Sequence, residues 1–181
     1  MKWLLLSLYL LILACRLWLR YVNLQHLRQH GHKVPAGFAE VVDQKLLAKT
    51  SDYTLANSRV GLVESLFGSL LLLIFLFGGL LAWYDGWVQT VAVSFIGQGV
   101  LFMLGLMLIQ TLLDVPFSLY RTFILEERFR FNTSTPRIWL TDLLKSFGVG
   151  AILLSLITAG GLALVQASPN GWWLWVWGFL A

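Results

Sequence analysis

Charge is scarce in this sequence. Only 12% of the 181 residues are charged, whereas 58% are hydrophobic and the mean hydropathy is +0.75. An ordinary soluble domain carries about twice that share of charged residues, so the composition excludes a water-soluble globular fold. We expect an integral membrane protein whose first partner is the lipid bilayer, and we expect no nucleic acid among its partners.

Cysteine is also scarce, and no ionisable residue lies deep within an apolar run. The single cysteine, Cys15, excludes an internal disulfide and cannot by itself build a structural zinc site. Transporters and pumps keep ionisable side chains in the middle of their spans to line an ion path. Here Glu64 and Asp114 stand at the ends of apolar runs, and no charged residue stands near the centre of one. The pattern does not favour transport.

Long apolar runs are what the sequence has instead. A hydrocarbon core about 30 Å thick needs roughly 20 apolar residues of helix. Four runs approach or reach this length, and a fifth begins at Trp172 but holds only ten residues. We expect an all-α fold, a polytopic transmembrane helix bundle that forms one membrane domain over 1–181 and is the N-terminal fragment of a longer protein. The predicted spans are about 3–19, 62–84, 91–113, 147–165 and a truncated 172–181.

Lys and Arg are unevenly divided among the segments between these spans. Cytoplasmic segments hold Lys and Arg in excess. The segments 20–61 and 114–146 carry eleven of the 13, and the opposite connections Asp85–Thr90 and Gln166–Gly171 carry none. Both charged segments are therefore predicted to be cytoplasmic, with the N-terminus outside. In a bacterium this membrane would be the inner membrane.

The N-terminal run has a second interpretation. Lys2 and the apolar stretch that ends at Cys15 also resemble a secretory or lipoprotein signal, and cleavage there would place 20–61 outside. Leu13 fits a lipoprotein signal poorly, and the apolar run continues to Leu19. An uncleaved helix is therefore favoured.

The polar segment 20–61 is predicted to be partly helical. Phe38, Val41, Val42 and Leu46 recur at helical spacing, which favours a helix before the second span. Asp52 is predicted to cap the helix that leads into that span.

A histidine pair is the most obvious candidate metal site. His26 and His30 are four residues apart, with His32 close by, and a helix brings such a pair to one side. A zinc metallopeptidase of this spacing also needs a Glu directly after the first His, as its general base. Leu27 occupies that position here. Histidines that face lipid headgroups are the favoured interpretation, and we predict no metal ligand and no catalytic residue in this chain.

Charge is concentrated in one short stretch, 119–136. Glu126 and Glu127 invite a paired-carboxylate mechanism, in which one carboxyl donates a proton and the other accepts one. Adjacent helical residues point about 100° apart, however, so they rarely converge on one substrate atom. Arg128 and Arg130 offer ion partners, and a structural charge network is favoured from these residues alone. Ser134 or Thr135 is predicted to cap a helix that begins at Pro136.

The same stretch carries a family resemblance. Residues 113–132 read LDVPFSLYRTFILEERFRFN, with Thr135, Asp142 and Lys145 downstream. This pattern, strongest over about 112–146, resembles the N-terminal membrane region of the type I CAAX prenyl proteases, membrane zinc metallopeptidases with bacterial relatives that cleave isoprenylated C-terminal tripeptides. The family run reads approximately Glu-Glu-Lys-His-Gly-Phe-Asn. Here Arg128 replaces the Lys, and Phe129-Arg130 replace His-Gly.

The resemblance implies a parent enzyme larger than this chain. Family members have an outside N-terminus, an intramembrane chamber and a cytoplasmic zinc site on an H-E-x-x-H helix, with a Glu as third ligand. None of these ligands is present in the 181 residues. The resemblance therefore implies zinc in the full-length parent and none in this fragment, which alone should be inactive. Its partners would be the downstream metallopeptidase domain and a peptide or prenylated-peptide substrate of the parent.

A separate role is predicted for the charged stretch 119–136. We expect that it forms a docking surface which braces the protease domain over the chamber mouth, by positioning and not by proton transfer. A solvated loop that merely satisfies the charge bias is the simpler alternative for these residues. For the whole chain the alternative function is a non-enzymatic membrane scaffold or binding protein that kept the fold. The predicted docking residues are Glu126, Glu127, Arg128, Phe131 and Asn132.

Overall fold

All of the secondary structure in the described part of the chain is helical. The computed structural model describes residues 2–31, 43–168 and 171–180. The all-α prediction is confirmed. The elements are α1 (Lys2–His30), α2 (Gln44–Phe77), α3 (Leu80–Val91), α4 (Phe95–Tyr120), a π-helix (Arg121–Glu126), α5 (Pro136–Ala167) and α6 (Trp172–Leu180).

Four of these helices are long and apolar enough to cross a membrane. They cover Trp3–His30, Gln44–Phe77, Phe95–Glu126 and Pro136–Ala167. Their most apolar windows are almost entirely open to the surroundings, with at most 6% of the residues buried within the chain. Large apolar side chains that face outward in this way match a hydrocarbon solvent and make this an integral membrane protein. Helix α6 has nine residues, so the fifth span stays a prediction.

A pair of glycines divides the run 62–84 that was predicted as one span. Helix α2 ends at Phe77, and Gly79 adopts the left-handed conformation with φ of 84° before α3 begins at Leu80. Glycine enters this region without the steric cost that a Cβ brings. The predicted connection Asp85–Thr90 consequently lies inside α3, and α4 begins only at Phe95.

Polar side chains set the starts of two helices. The Thr135 hydroxyl accepts a hydrogen bond from the backbone N–H of Ile138 at 3.3 Å, and Pro136 occupies the first turn, which confirms the predicted cap and start. The prediction for Asp52 was wrong, because α2 already begins at Gln44. Asp43 is the residue that accepts from the Lys45 N–H there, at 2.9 Å. The predicted helical residues Phe38, Val41 and Val42 lie outside the described residues.

The chain divides into two compact units. The first comprises Met1–Leu72 and Leu119–Asn132, and the second comprises Leu73–Ser118 and Thr133–Ala181. Within the first unit, the Ser51 hydroxyl donates to the Gly31 carbonyl and joins α2 to the end of α1. Within the second, the Trp139 indole N–H donates to the Ser118 hydroxyl at 2.9 Å and joins α5 to α4.

Candidate functional site

The charged stretch forms the end of a widened helix followed by a tight turn. The π-helix closes at Glu126, and the chain then reverses through Arg130, which has φ of 52°. The Phe131 N–H donates to the Glu126 carbonyl at 2.8 Å, and the Arg130 N–H donates to the Glu127 carbonyl at 2.9 Å. These two bonds and the left-handed residue define a Schellman motif. The turn therefore forms although Arg130 stands where the resembling family has glycine.

This turn places two phenylalanines against α2. The Tyr53 ring meets Phe131 edge-on with centroids 5.2 Å apart and Phe129 with centroids 5.6 Å apart. The Lys49 Nζ lies 4.4 Å from the centroid of Phe131, within cation–π range. Both phenylalanine rings are half-buried by these contacts. The aromatic part of the cluster is thus used within the first unit, where it fastens the turn to α2.

Three charged residues at the turn, Glu127, Arg128 and Arg130, are exposed. Glu127 and Arg128 are exposed, whereas Glu126 and Asn132 are half-buried. The Asn132 amide donates to the Glu127 carboxylate at 3.1 Å, so the structure brings these two predicted residues together. Such a bond fixes the direction of one carboxylate at the surface. Of the five predicted docking residues, Glu127 and Arg128 are the ones presented to the surroundings.

An ion pair that was not predicted from the sequence anchors the start of the π-helix. The Arg121 Nη1 donates to the Glu64 Oε1 at 3.3 Å, and its Nη2 pairs with the other carboxylate oxygen. The two side chains are 31% and 29% exposed. The partners are 57 positions apart in the sequence, so no local sequence pattern predicts that they pair. The one available signal was a Glu at the beginning of an apolar run, where an uncompensated charge is costly.

A pocket of about 380 Å³ lies within the second unit. Its lining combines apolar rings and chains with a few polar groups, among them Gln89, Gln98 and Thr158. The Gln89 amide donates to the Asp85 carboxylate at 2.7 Å, and the Gln98 amide donates to the Ala92 carbonyl at 2.9 Å. These amides are held by the protein itself, which gives the pocket a polar rim of fixed geometry.

The histidine pair shows no metal-binding arrangement in the residues that the structure describes. The rings of His26 and His30 stack with centroids 4.5 Å apart, and His30 Nδ1 lies 3.2 Å from the His26 carbonyl oxygen. Within the described ranges, no group of three or more His, Cys, Asp or Glu side chains comes close enough to hold a metal. His32 lies outside those ranges. His26 and His30 by themselves therefore do not fit a zinc site.

Comparisons with known proteins agree on one family. The family described as "CAAX prenyl protease N-terminal, five membrane helices" matches residues 23–181. The "Probable CAAX prenyl protease 1" of Schizosaccharomyces pombe is 31% identical over 159 residues, which cover 81% of this chain and 34% of the relative. The "CAAX prenyl protease 1 homolog" of Caenorhabditis elegans is 27% identical over 170 residues, which cover 93% of this chain and 38% of the relative.

The fold of this chain also matches that of a solved structure. The crystal structure of S. mikatae Ste24p matches with a TM-score of 0.84 at 23% identity, over 95% of this chain and 41% of that one. At this identity the likeness concerns the fold alone. The chain spans about a third of the length of the two curated relatives that it matches. Because the family match covers most of the chain, including the whole charged stretch, this protein belongs to the family of the CAAX prenyl protease N-terminal membrane region.

Proposed function

We propose that this chain is the N-terminal membrane portion of a zinc-dependent membrane endopeptidase that processes CAAX-type proteins. The observation that carries the proposal is the family match over residues 23–181. Its relatives are named CAAX prenyl proteases and are about three times as long as the matched part. The substrate would be a peptide with a prenylated C-terminal region, which an apolar intramembrane surface suits.

The hydrolytic chemistry belongs to another part of such an enzyme. The sequence contains no H-E-x-x-H, and the described residues do not fit a zinc site. Zinc would supply Lewis-acid chemistry for peptide hydrolysis in the metallopeptidase domain that we propose as the partner of this chain. The role left for this chain is to form walls of the substrate chamber, to which the pocket with its amide rim contributes, and to hold the catalytic domain in place.

The exposed charges at the turn are the proposed contact with that domain. Glu127 and Arg128 stand beside each other on a rigid Schellman turn, and the rings of Phe129 and Phe131 fasten this turn to α2. Charges on a rigid support fix the register of an interface more than they add to its affinity. We therefore assign positioning to Glu127 and Arg128. Glu126, Phe131 and Asn132 support them from beneath.

The first experiment tests the function as a whole. The reading frame should continue into a segment with an H-E-x-x-H motif, and the full-length product should cleave a farnesylated CAAX peptide. A zinc chelator should abolish this cleavage, and added zinc should restore it. A full-length product without this motif, or one that cleaves nothing when loaded with zinc, would instead support the scaffold alternative.

The second experiment tests the docking surface in the full-length protein. Glu127→Gln keeps an oxygen that can accept from Asn132, so the turn survives while the charge is lost. We expect turnover to fall about tenfold, which corresponds to one lost charge-assisted contact, with zinc content unchanged. Arg128→Gln should act similarly.

Arg137→Gln is the matched control, because Arg137 is also exposed but lies on α5. It should leave turnover unchanged. Near-normal turnover in both Glu127→Gln and Arg128→Gln, at equal protein level, would reduce the stretch to a solvated surface.

The third experiment tests the orientation, which we propose to be N-terminus outside with 20–61 and 114–146 in the cytoplasm. Single cysteines at Lys45, Arg137 and Thr90 are introduced into a Cys15→Ser background. Thr90 should react with an impermeant thiol reagent in intact cells, whereas Lys45 and Arg137 should react only after permeabilisation. The opposite pattern would overturn the orientation.

A further inference from the structure

Two arginines share the space above one glycine in the first unit. Arg20 lies on α1, Gly61 on α2, and Arg121 is the first residue of the π-helix. A Cβ on Gly61 would lie 3.2 Å from Arg20 Nη2 and 3.6 Å from Arg121 Nη2. The absence of a side chain at this position thus allows two guanidinium groups to converge on one point.

Positive charge is in excess at this point. Glu64, three residues after Gly61, neutralises Arg121. In the part of the chain that the structure describes, Arg20 has neither an ion pair nor a hydrogen bond, and Arg121 Nε is buried without an acceptor. Both arginines are half-buried. A partly dehydrated guanidinium with unused N–H donors is unfavourable unless an anion completes it.

The cluster lies at a membrane interface. Arg20 directly follows the apolar run 3–19, and Glu64 stands near the start of the apolar run of α2. On α1 the neighbours Trp18 and Tyr21 are each 64% exposed. Exposed Trp and Tyr beside a basic residue at the end of a span are typical of the level of the lipid headgroups.

We propose that Arg20, with the positive charge of Arg121 beside it, binds the phosphate of an anionic phospholipid. The planar guanidinium fork of Arg20 matches the oxygens of a phosphate, and Arg121, whose own fork holds Glu64, adds positive charge beside it. Phospholipid is the source of phosphate at this depth, and its acyl chains would lie along the exposed apolar side chains of α1. A lipid held in this way ties α1 to α2 and to the π-helix. This site is separate from the proposed protease function, and its test does not use activity.

The test measures lipid binding to the full-length protein purified in detergent. Native mass spectrometry counts the retained phosphatidylglycerol against phosphatidylcholine, and thermal unfolding is followed with each lipid and with inorganic phosphate. We expect a retained phosphatidylglycerol and a rise in Tm with this lipid. Phosphatidylcholine and inorganic phosphate at matched concentration should give no comparable rise.

Three variants locate the site. Arg20→Gln removes the unpaired cation and should weaken phosphatidylglycerol binding about tenfold, the loss of one charge-assisted bond, while the Tm without lipid stays near that of the wild type. Gly61→Ala keeps every charge but places a methyl group against Arg20, so it should weaken binding in the same direction. Arg59→Gln removes an exposed charge nearby on α2 and should leave binding unchanged.

Three results would contradict the proposed phospholipid site. Undiminished phosphatidylglycerol binding in Arg20→Gln would overturn the site. An equal loss in Arg59→Gln would show attraction to a basic surface and not a defined site. An equal rise in Tm with inorganic phosphate would show an anion site that is not specific for lipid, and would overturn the phospholipid assignment.

Discussion

The two units use different means to hold their helices. In the first unit Arg121 pairs with Glu64 and Ser51 donates to Gly31, while aromatic rings pack the Arg130 turn on α2. In the second unit side chains lie close against glycines, Tyr84 against Gly105 and Leu162 against Gly99, and no ion pair is found among its described residues. Small residues that admit a neighbour closely are typical of helix packing in lipid, whereas charged pairs belong to the headgroup level.

The two units should therefore differ in the substitutions that destabilise them. A unit whose side chains pack closely on glycine should lose stability when a larger residue replaces that glycine. A unit joined by charges should fail when one partner is removed, and should partly recover when the second is removed as well.

Gly105→Ala should cost the most. A Cβ at this position would overlap the Tyr84 hydroxyl, which donates to the Phe102 carbonyl at 2.8 Å. The Tyr84 ring also contacts the rings of Phe102 and Trp87, so it has little room to move away. Overpacking of this kind costs about 1–3 kcal/mol of unfolding free energy. Thermal unfolding in detergent measures the change.

Two controls sharpen this prediction. Tyr84→Phe removes the hydroxyl, so Gly105→Ala should cost less in that background. Gly148→Ala adds the same methyl group on α5, where nothing lies within 4 Å, and should not destabilise. Equal losses for Gly105→Ala with and without the hydroxyl would place the clash elsewhere.

Glu64→Gln should come next. It leaves the half-buried Arg121 without a counter-charge, which we expect to cost about 1–2 kcal/mol in a pair that keeps some contact with its surroundings. Arg121→Gln should cost a similar amount. The double variant should unfold at a higher temperature than the sum of the two single losses predicts. Strict additivity would mean that the pair contributes nothing beyond its separate residues.

Arg130→Gly should have the smallest effect and the opposite sign. Arg130 has φ of 52°, where a Cβ costs roughly 1 kcal/mol that glycine does not incur. The variant should therefore raise the Tm by a few degrees. Arg130→Ala retains the Cβ and should not. A gain of the same size in Arg130→Ala would attribute the effect to the lost charge.

Much of the helical framework could be predicted from the sequence. Apolar runs locate the four long helices because hydrocarbon selects composition over a whole span. The Thr135-Pro136 start is equally readable, since a capping side chain and the residue that follows it act locally. The family was predictable from 113–132, where the pattern is specific to one kind of protein.

The contacts that give the site its geometry could not be predicted. Hydropathy does not register the Gly78-Gly79 break, because glycine is common within membrane helices and breaks few of them. The Glu64–Arg121 pair depends on how two distant helices meet. Arg130 stands where the family run reads Gly, so the sequence alone argues against a left-handed turn. Only the backbone, with φ of 52° at Arg130, shows that the turn is retained.

The π-helix makes the chain sensitive to its length at one place. A π-helix accommodates one more residue than an α-helix of the same turns, and removal of one residue from 121–126 would let an ordinary helix close. Positions after the deletion would then keep about their present rotation relative to Arg121, because the α-helix completes the same turns with one residue fewer. The rings of Phe129 and Phe131 could then stay on α2 while Arg121 keeps Glu64. A single-codon deletion within 122–126 is therefore expected to be tolerated, whereas a single-codon insertion there should rotate Glu127 and Arg128 by about 100° relative to Arg121 and separate the ion pair from the surface beyond it.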